Sequence, residues 1–164
     1  MGEHTPRRAQ HGFTLLEIMV VLALIAISVT FVVLNLQRDT DGVAELEARR
    51  FAGLIEQARN ESILSGRPYA VKVDTDRKTY TFLEHQKEWS AVKGDDVFRP
   101  RSFPQDLNVS LETTGSPGAG DLLVIEGLGE ITPFVLTIRG KSRLYKVSID
   151  EGQNVIVSSA PNET

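Results

Sequence analysis

The chain contains no cysteine. Disulfide bonds, thiolate nucleophiles and thiolate metal ligands are therefore excluded. An excess of positive charge is also missing: 18 basic residues stand against 22 acidic ones, a formal net charge of −4. Nonspecific nucleic-acid binders are more often basic, so this balance argues against a nucleic-acid partner. No internal repeat is present. Catalytic signatures are scarce. His85, Ser90 and Asp95 supply the residue types of a Ser–His–Asp set, yet nothing like a nucleophile elbow surrounds them. Asp74 with Asp76, and Asp95 with Asp96, offer oxygen ligands without the spacing of a calcium loop. The first pair reads as a turn. Gly127–Glu130, GLGE, lacks the further glycine and the strand-to-helix setting of a nucleotide fingerprint. The expectation is a non-enzyme with no catalytic, cofactor-binding or metal site.

One long apolar run is present. From Phe13 to Leu36 the chain has 24 residues with a single acidic one, Glu17. As a helix this run is about 36 Å long, enough to cross a hydrocarbon core of about 30 Å with some tilt. A secretory signal peptide has a shorter apolar region, about 7 to 15 residues, and a small-residue exit. Arg7 and Arg8 precede the run, whereas Arg38, Asp39 and Asp41 follow it. The positive-inside rule then puts the N-terminus in the cytoplasm and the rest in the periplasm. The expectation is a single-pass helix over 13–36 in the inner membrane, in contact with lipid, behind a leader of residues 1–12. Losing that leader removes Glu3, Arg7 and Arg8 and leaves 16 basic and 21 acidic residues, a formal charge of −5.

A second helical pattern covers 37–66. Val43, Leu46, Phe51, Leu54, Ile55 and Ala58 recur every three to four residues, with Glu45, Glu47, Arg49, Arg50, Glu56 and Arg59 largely between them. This predicts an amphipathic helix packed on a sheet. Gly42 predicts a bend or fraying near its start, and Gly66 with Pro68 a stop. Residues 67–164 read as an antiparallel β domain with an acidic, flexible C-terminus. Strands are predicted at Tyr69–Val73, Lys78–Glu84, Val109–Glu112, Leu122–Ile125, Phe134–Ile138, Arg143–Ile149 and Val155–Val157. Phe98–Leu107 carries two prolines and suits an extended loop or edge, and Thr113–Gly120 is a loop. The fold class is α+β: a long N-terminal helix, half transmembrane stem and half amphipathic, on a β domain of two sheets.

The junction HG|FTLLEIMVVLALIAI resembles the type IV prepilin signal. The resemblance implies that a prepilin peptidase cuts between Gly12 and Phe13 and N-methylates Phe13. It also implies that Glu17, the fifth mature residue, acts in assembly. A physical account supports that role. An ionised carboxylate in hydrocarbon needs a partner, and cleavage creates a cationic terminus at Phe13. The terminus of one subunit can pair with Glu17 of a neighbour and set axial register, desolvation offsetting part of the attraction.

Two further segments, FAGLIEQARNESILSGRPYAVKVD and IEGLGEITPFVLTI, followed by VSIDEGQNVIVS, resemble GspH/FimT-type minor pilins, most of all the H-type minor pseudopilins of type II secretion. The resemblance implies a pilin-like fold with two antiparallel sheets. It implies a structural subunit near the tip of the secretion pseudopilus, supporting export of folded proteins. Its partners would be the prepilin peptidase, other major and minor pseudopilins and the secretion assembly platform. The alternative is a minor type IV pilus subunit of FimT type, in which Arg139, Lys141, Arg143 and Lys146 contact DNA phosphate.

Overall fold

The computed structural model describes residues 15–35, 39–113 and 122–162, with side chains omitted over 29–35. The chain divides into two compact units, Met1–Arg38 and Asp39–Thr164. The first contributes one described element, α1 (Leu15–Asn35).

The transmembrane part of the expected fold needs correction. Among the described residues, no helix is long and apolar enough to cross a membrane. The continuously apolar stretch of described side chains in α1 runs from Ile18 to Ile27, between Glu17 and Ser28. Those ten residues rise about 15 Å, roughly half the thickness of a hydrocarbon core. The expected single-pass inner-membrane topology, with a cytoplasmic N-terminus, a periplasmic domain and lipid contact, is withdrawn with it.

The second unit opens with α2 (Thr40–Ser65). Asp39 caps it by accepting the Gly42 N–H at 3.0 Å, and Gly66 closes it in the left-handed conformation, φ +66°. A side chain at Gly66 would be strained there. Nine strands follow: β1 (Tyr69–Asp74), β2 (Thr79–His85), β3 (Trp89–Ala91), β4 (Arg101–Ser102), β5 (Asn108–Thr113), β6 (Leu122–Ile125), β7 (Phe134–Arg139), β8 (Arg143–Ile149) and β9 (Val155–Pro161) among the described residues. They form two antiparallel sheets. One has the order β3-β2-β1-β6 with β4 also on β2; the other has the order β5-β7-β8-β9. The 100–104 segment, with a proline at each end, gives only the two-residue strand β4, as proline's missing N–H dictates.

Alternation within the strands builds the core. In β2, Tyr80 and Phe82 are buried between half-buried neighbours; in β7, Leu136 and Ile138 are fully buried. The two sheets and α2 meet at Phe51, which is fully buried. Its ring stands edge-on to Tyr80 of β2 at 5.2 Å and to Phe134 of β7 at 6.3 Å. From Tyr80 the aromatic contacts continue through Phe82 to Phe98 and Tyr69. Such offset and T-shaped contacts add about 0.5–1.5 kcal/mol each beyond area burial.

Phe51, Leu54, Ile55 and Ala58 are buried along α2, and Val43 is partly buried against the core. Leu46 is 56% exposed. At about 100° per residue, it lies about 140° around the helix from Phe51, on the side away from the sheets. The buried stripe instead runs through Ala44, Glu47 and Ala48. Phe51→Ala is expected to destabilise the domain by about 3–5 kcal/mol, whereas Leu46→Ala should stay within about 0.5 kcal/mol of wild type. Chemical denaturation of both variants checks this; equal losses would contradict the assigned helix face.

Candidate assembly site

Gly12 and Phe13, the residues of the expected cleavage, lie outside the described residues. Glu17 lies in the first turn of α1, where the unpaired amide groups of a helix start favour a carboxylate. Around it Leu15, Leu16, Ile18 and Met19 are 79%, 71%, 47% and 64% exposed. Each side chain from Leu15 to Ser28 is exposed. Between Glu17 and Ser28 that exposed surface is apolar throughout, from Ile18 to Ile27, and contiguous exposed apolar surface is a feature of interaction sites. The chemistry available here is packing of apolar stems with one acidic group among them.

α2 is fastened at both ends. At its start, Asp41 Oδ1 accepts the N–H of Ser142 at 2.9 Å and of Arg143 at 3.1 Å, and Lys141 N–H donates to Thr40 Oγ1 at 3.1 Å. These three donors belong to the turn and first residue of the β7–β8 hairpin. Gly140 in that turn packs so closely on Thr40 and Asp41 that a Cβ would lie 2.9 Å from the Thr40 carbonyl oxygen. The Ser142 N–H, above all, holds the Asp41 carboxyl below its ordinary value. At the other end, Ser62 Oγ lies 2.7 Å from the Glu126 carbonyl oxygen and 2.9 Å from that of Arg67. A Cβ on Gly127 would lie 2.8 Å from the Gly66 carbonyl oxygen, so the GLGE turn is seated on the end of α2.

A buried polar group sits between α2 and the first sheet. Glu47 is 5% exposed and accepts from Arg50 at 2.7 Å. Tyr80 beside it has its hydroxyl pushed up to about 12, by burial first and then by the charge of Glu47. No local pattern hints at this pair, since Glu47 reads in the sequence as part of the charged stripe between the apolar positions.

The discounted catalytic residues do not converge. His85 stacks edge-on against Trp89 at 5.0 Å across the β2–β3 pair. Asp95 accepts the Val97 N–H at 2.7 Å and Asp74 the Arg77 N–H at 2.8 Å, both as turn contacts. Among the described residues, no group of acidic and histidine side chains could hold a metal ion. Arg139, Lys141 and Lys146 do come together: they line a groove of about 950 Å³ on the outer face of the four-stranded sheet, with Glu112 also among the lining residues. Arg143 is absent from that lining and reaches Ser159 Oγ at 3.3 Å instead.

Two family descriptions match the chain. The prokaryotic N-terminal methylation motif covers residues 7–33, and the type II transport protein GspH covers residues 47–153. The chain belongs to the GspH family. Residues 47–153 take in most of α2 and every strand up to the start of β9, so the family match rests on the domain just described. Among similar proteins, the type II secretion system protein H of Escherichia coli K12 is 42% identical over 138 residues, covering 77% of this chain and 79% of its own. That of Vibrio cholerae is 28% identical over 166 residues, covering 82% and 85%. Among solved structures, the minor pseudopilin EpsH from the type 2 secretion system of Vibrio cholerae superposes with a TM-score of 0.61 at 26% identity, covering 70% of this chain and 95% of its own.

The Asp41 clamp gives a pH signature. A carboxyl whose folded value is depressed stabilises the fold above its unfolded value, here about 3.8. That contribution is lost as pH falls through the lower folded value. Asp150, held down by the Asn154 N–H, contributes with the same sign. Asp41→Asn should therefore lower stability at neutral pH and lose less on acidification below about 3.8 than wild type. Thermal unfolding from pH 7 to pH 2 checks this; parallel curves for the two proteins would remove Asp41 from the account.

Proposed function

We propose that this chain is a minor pseudopilin, a structural subunit of the type II secretion pseudopilus. The GspH match across 47–153 carries the reading. Supporting it, the aligned regions span 79% and 85% of the two related H proteins. The protein is a structural part and not an enzyme. Its role is to pack: α1 presents an apolar surface to other stems, and the β domain supplies lateral contacts.

The finer proposals concern processing, register and position. A prepilin peptidase cuts between Gly12 and Phe13 and methylates the new amine, a reading supported by the methylation-motif match over 7–33. Glycine suits the cut because it leaves room for the peptidase at the scissile bond. In a bundle of apolar stems, Glu17 then pairs with the cationic terminus of a neighbouring subunit. The low dielectric strengthens the attraction, and desolvation offsets part of it. The partners are other major and minor pseudopilins and the assembly platform, and the position is near the tip.

Mass spectrometry of the protein from a secreting cell should find N-methyl-Phe13 as its first residue. Retention of residues 1–12 would defeat the processing proposal. Glu17→Ala should leave that cut intact, while crosslinking to other pseudopilins and secretion both fall. Normal crosslinking and secretion in this variant would exclude the charge pair as the register device.

A further inference from the structure

β9 is the last strand of its sheet, and among the described residues no strand pairs with its outer edge. The ladder determines which backbone groups face that edge. Asn162 N–H donates to the Ser142 carbonyl at 2.9 Å, and Asp150 N–H to the Asn154 carbonyl at 3.0 Å. Both pairs continue the register in which Lys146 faces Ser158. Hydrogen-bonded residues alternate along an antiparallel pair. Ile156, Ser158 and Ala160 therefore turn N–H and C=O toward β8, while Val155, Val157 and Ser159 turn theirs outward. Pro161 holds an outward position, where proline's missing N–H breaks no ladder bond. From Val155 to Pro161 the register is continuous and no residue is charged. Charges and bulges, two of the devices that blunt an edge, are absent from this strand, and the third, proline, stands only at its end, at Pro161. Ile156 and Val157 are 42% and 37% exposed.

The flanking side chains define what fits. A strand added to β9 extends both faces of the sheet. On one face its neighbours are Val155 and Val157, which favour apolar residues. On the other face Lys146 lies directly behind Ser158. Ser158 and Ala160 are too short to screen it from an added strand, which lies about 9.6 Å from β8 at two strand spacings. The groove holding Arg139, Lys141 and Lys146 also opens at Ala160 and Asn162. Ile156, opposite Ser148, shares that face, so acidic residues are favoured there over the stretch from Ser158 to Asn162, beside the lysines.

We propose that β9 takes up an extended segment of a partner protein in which apolar and acidic residues alternate. The apolar residues lie against Val155 and Val157, and the acidic residues face Lys146 and Lys141. Main-chain hydrogen bonds supply the attachment and the alternate side chains supply selectivity. A second copy of this chain fits less well through the same strand, because β9 carries no acidic residue to set against the lysines. The inference rests on the edge and its charges and is independent of the secretion assignment.

The test uses the full chain with two synthetic peptides, one alternating valine and glutamate and one alternating valine and lysine. Amide hydrogen exchange should slow at Val155, Val157 and Ser159 on adding the glutamate peptide. Ile156, Ser158 and Ala160, already bonded to β8, should not change. At low salt the glutamate peptide should bind about tenfold or more tighter than the lysine peptide, a gap of about 1.4 kcal/mol or more. Lys141→Glu combined with Lys146→Glu should reverse that order. Val157→Pro removes an outward N–H and no β8–β9 hydrogen bond, so it should weaken binding about tenfold while the melting temperature holds; if it does not fold, Ser159→Pro asks the same question. Unchanged exchange at the three amides with both peptides would overturn the proposal. Protection that grows with protein concentration alone, alongside a dimer in sedimentation, would overturn it in favour of self-pairing.

Discussion

One helix has to serve two sheets. α2 contacts β7, β8 and β9 of one sheet and β1 and β6 of the other. The two sheets are antiparallel units with separate hydrogen-bond ladders, and α2 with its neighbours closes the space between them. That demand explains the composition of its buried face. Ala44, Ala48 and Ala58 keep the helix close to the strands, while Phe51 and Ile55 fill the space where the layers meet. The aromatic contacts of Phe51 with Tyr80 and Phe134 join all three layers at one ring.

A charge also sits on that buried face. Glu47 lies on the buried side of α2 yet keeps its charge partner Arg50 one turn away. Only the carboxylate of this pair is buried, the Arg50 side chain being 45% exposed, so solvent weakens the attraction while Glu47 still bears a desolvation cost. Its effect is better seen on Tyr80, whose hydroxyl is kept protonated beside a negative group. The site holds a phenol and a carboxylate at the seam between helix and sheet.

Much of this architecture could be read from residues in order. Period-two stretches such as Phe134–Ile138 located strands because one face of each sheet is buried. β3 escaped because its three residues are all exposed, leaving no alternation to detect. β9 was read as three residues and runs for seven, since Ser158–Ala160 carry no apolar signal. Leu46 was misplaced because apolar identity does not state which way a helix side points. Of the apolar run at 13–36 the side chains described, 15–28, are all exposed, and its reading as a membrane span did not survive, Glu17 and Ser28 bounding the described apolar stretch. The Asp41 contacts were invisible for a different reason. Their donors lie about a hundred positions away in the β7–β8 hairpin, and no local pattern in either segment announces the other.

Those contacts also fix where mechanical load enters the domain. Any tension carried along the backbone from residues before Asp39 arrives at Thr40 and Asp41. There it meets three hydrogen bonds side by side, two on the Asp41 carboxylate and one on the Thr40 hydroxyl. Three bonds on two adjacent residues share that load. The force is thereby handed to the β7–β8 hairpin, in the middle of its sheet, before it can peel α2 from the core one turn at a time. In a filament part that is pushed or drawn from one end, this fastening makes α2 and the four-stranded sheet take up the load together.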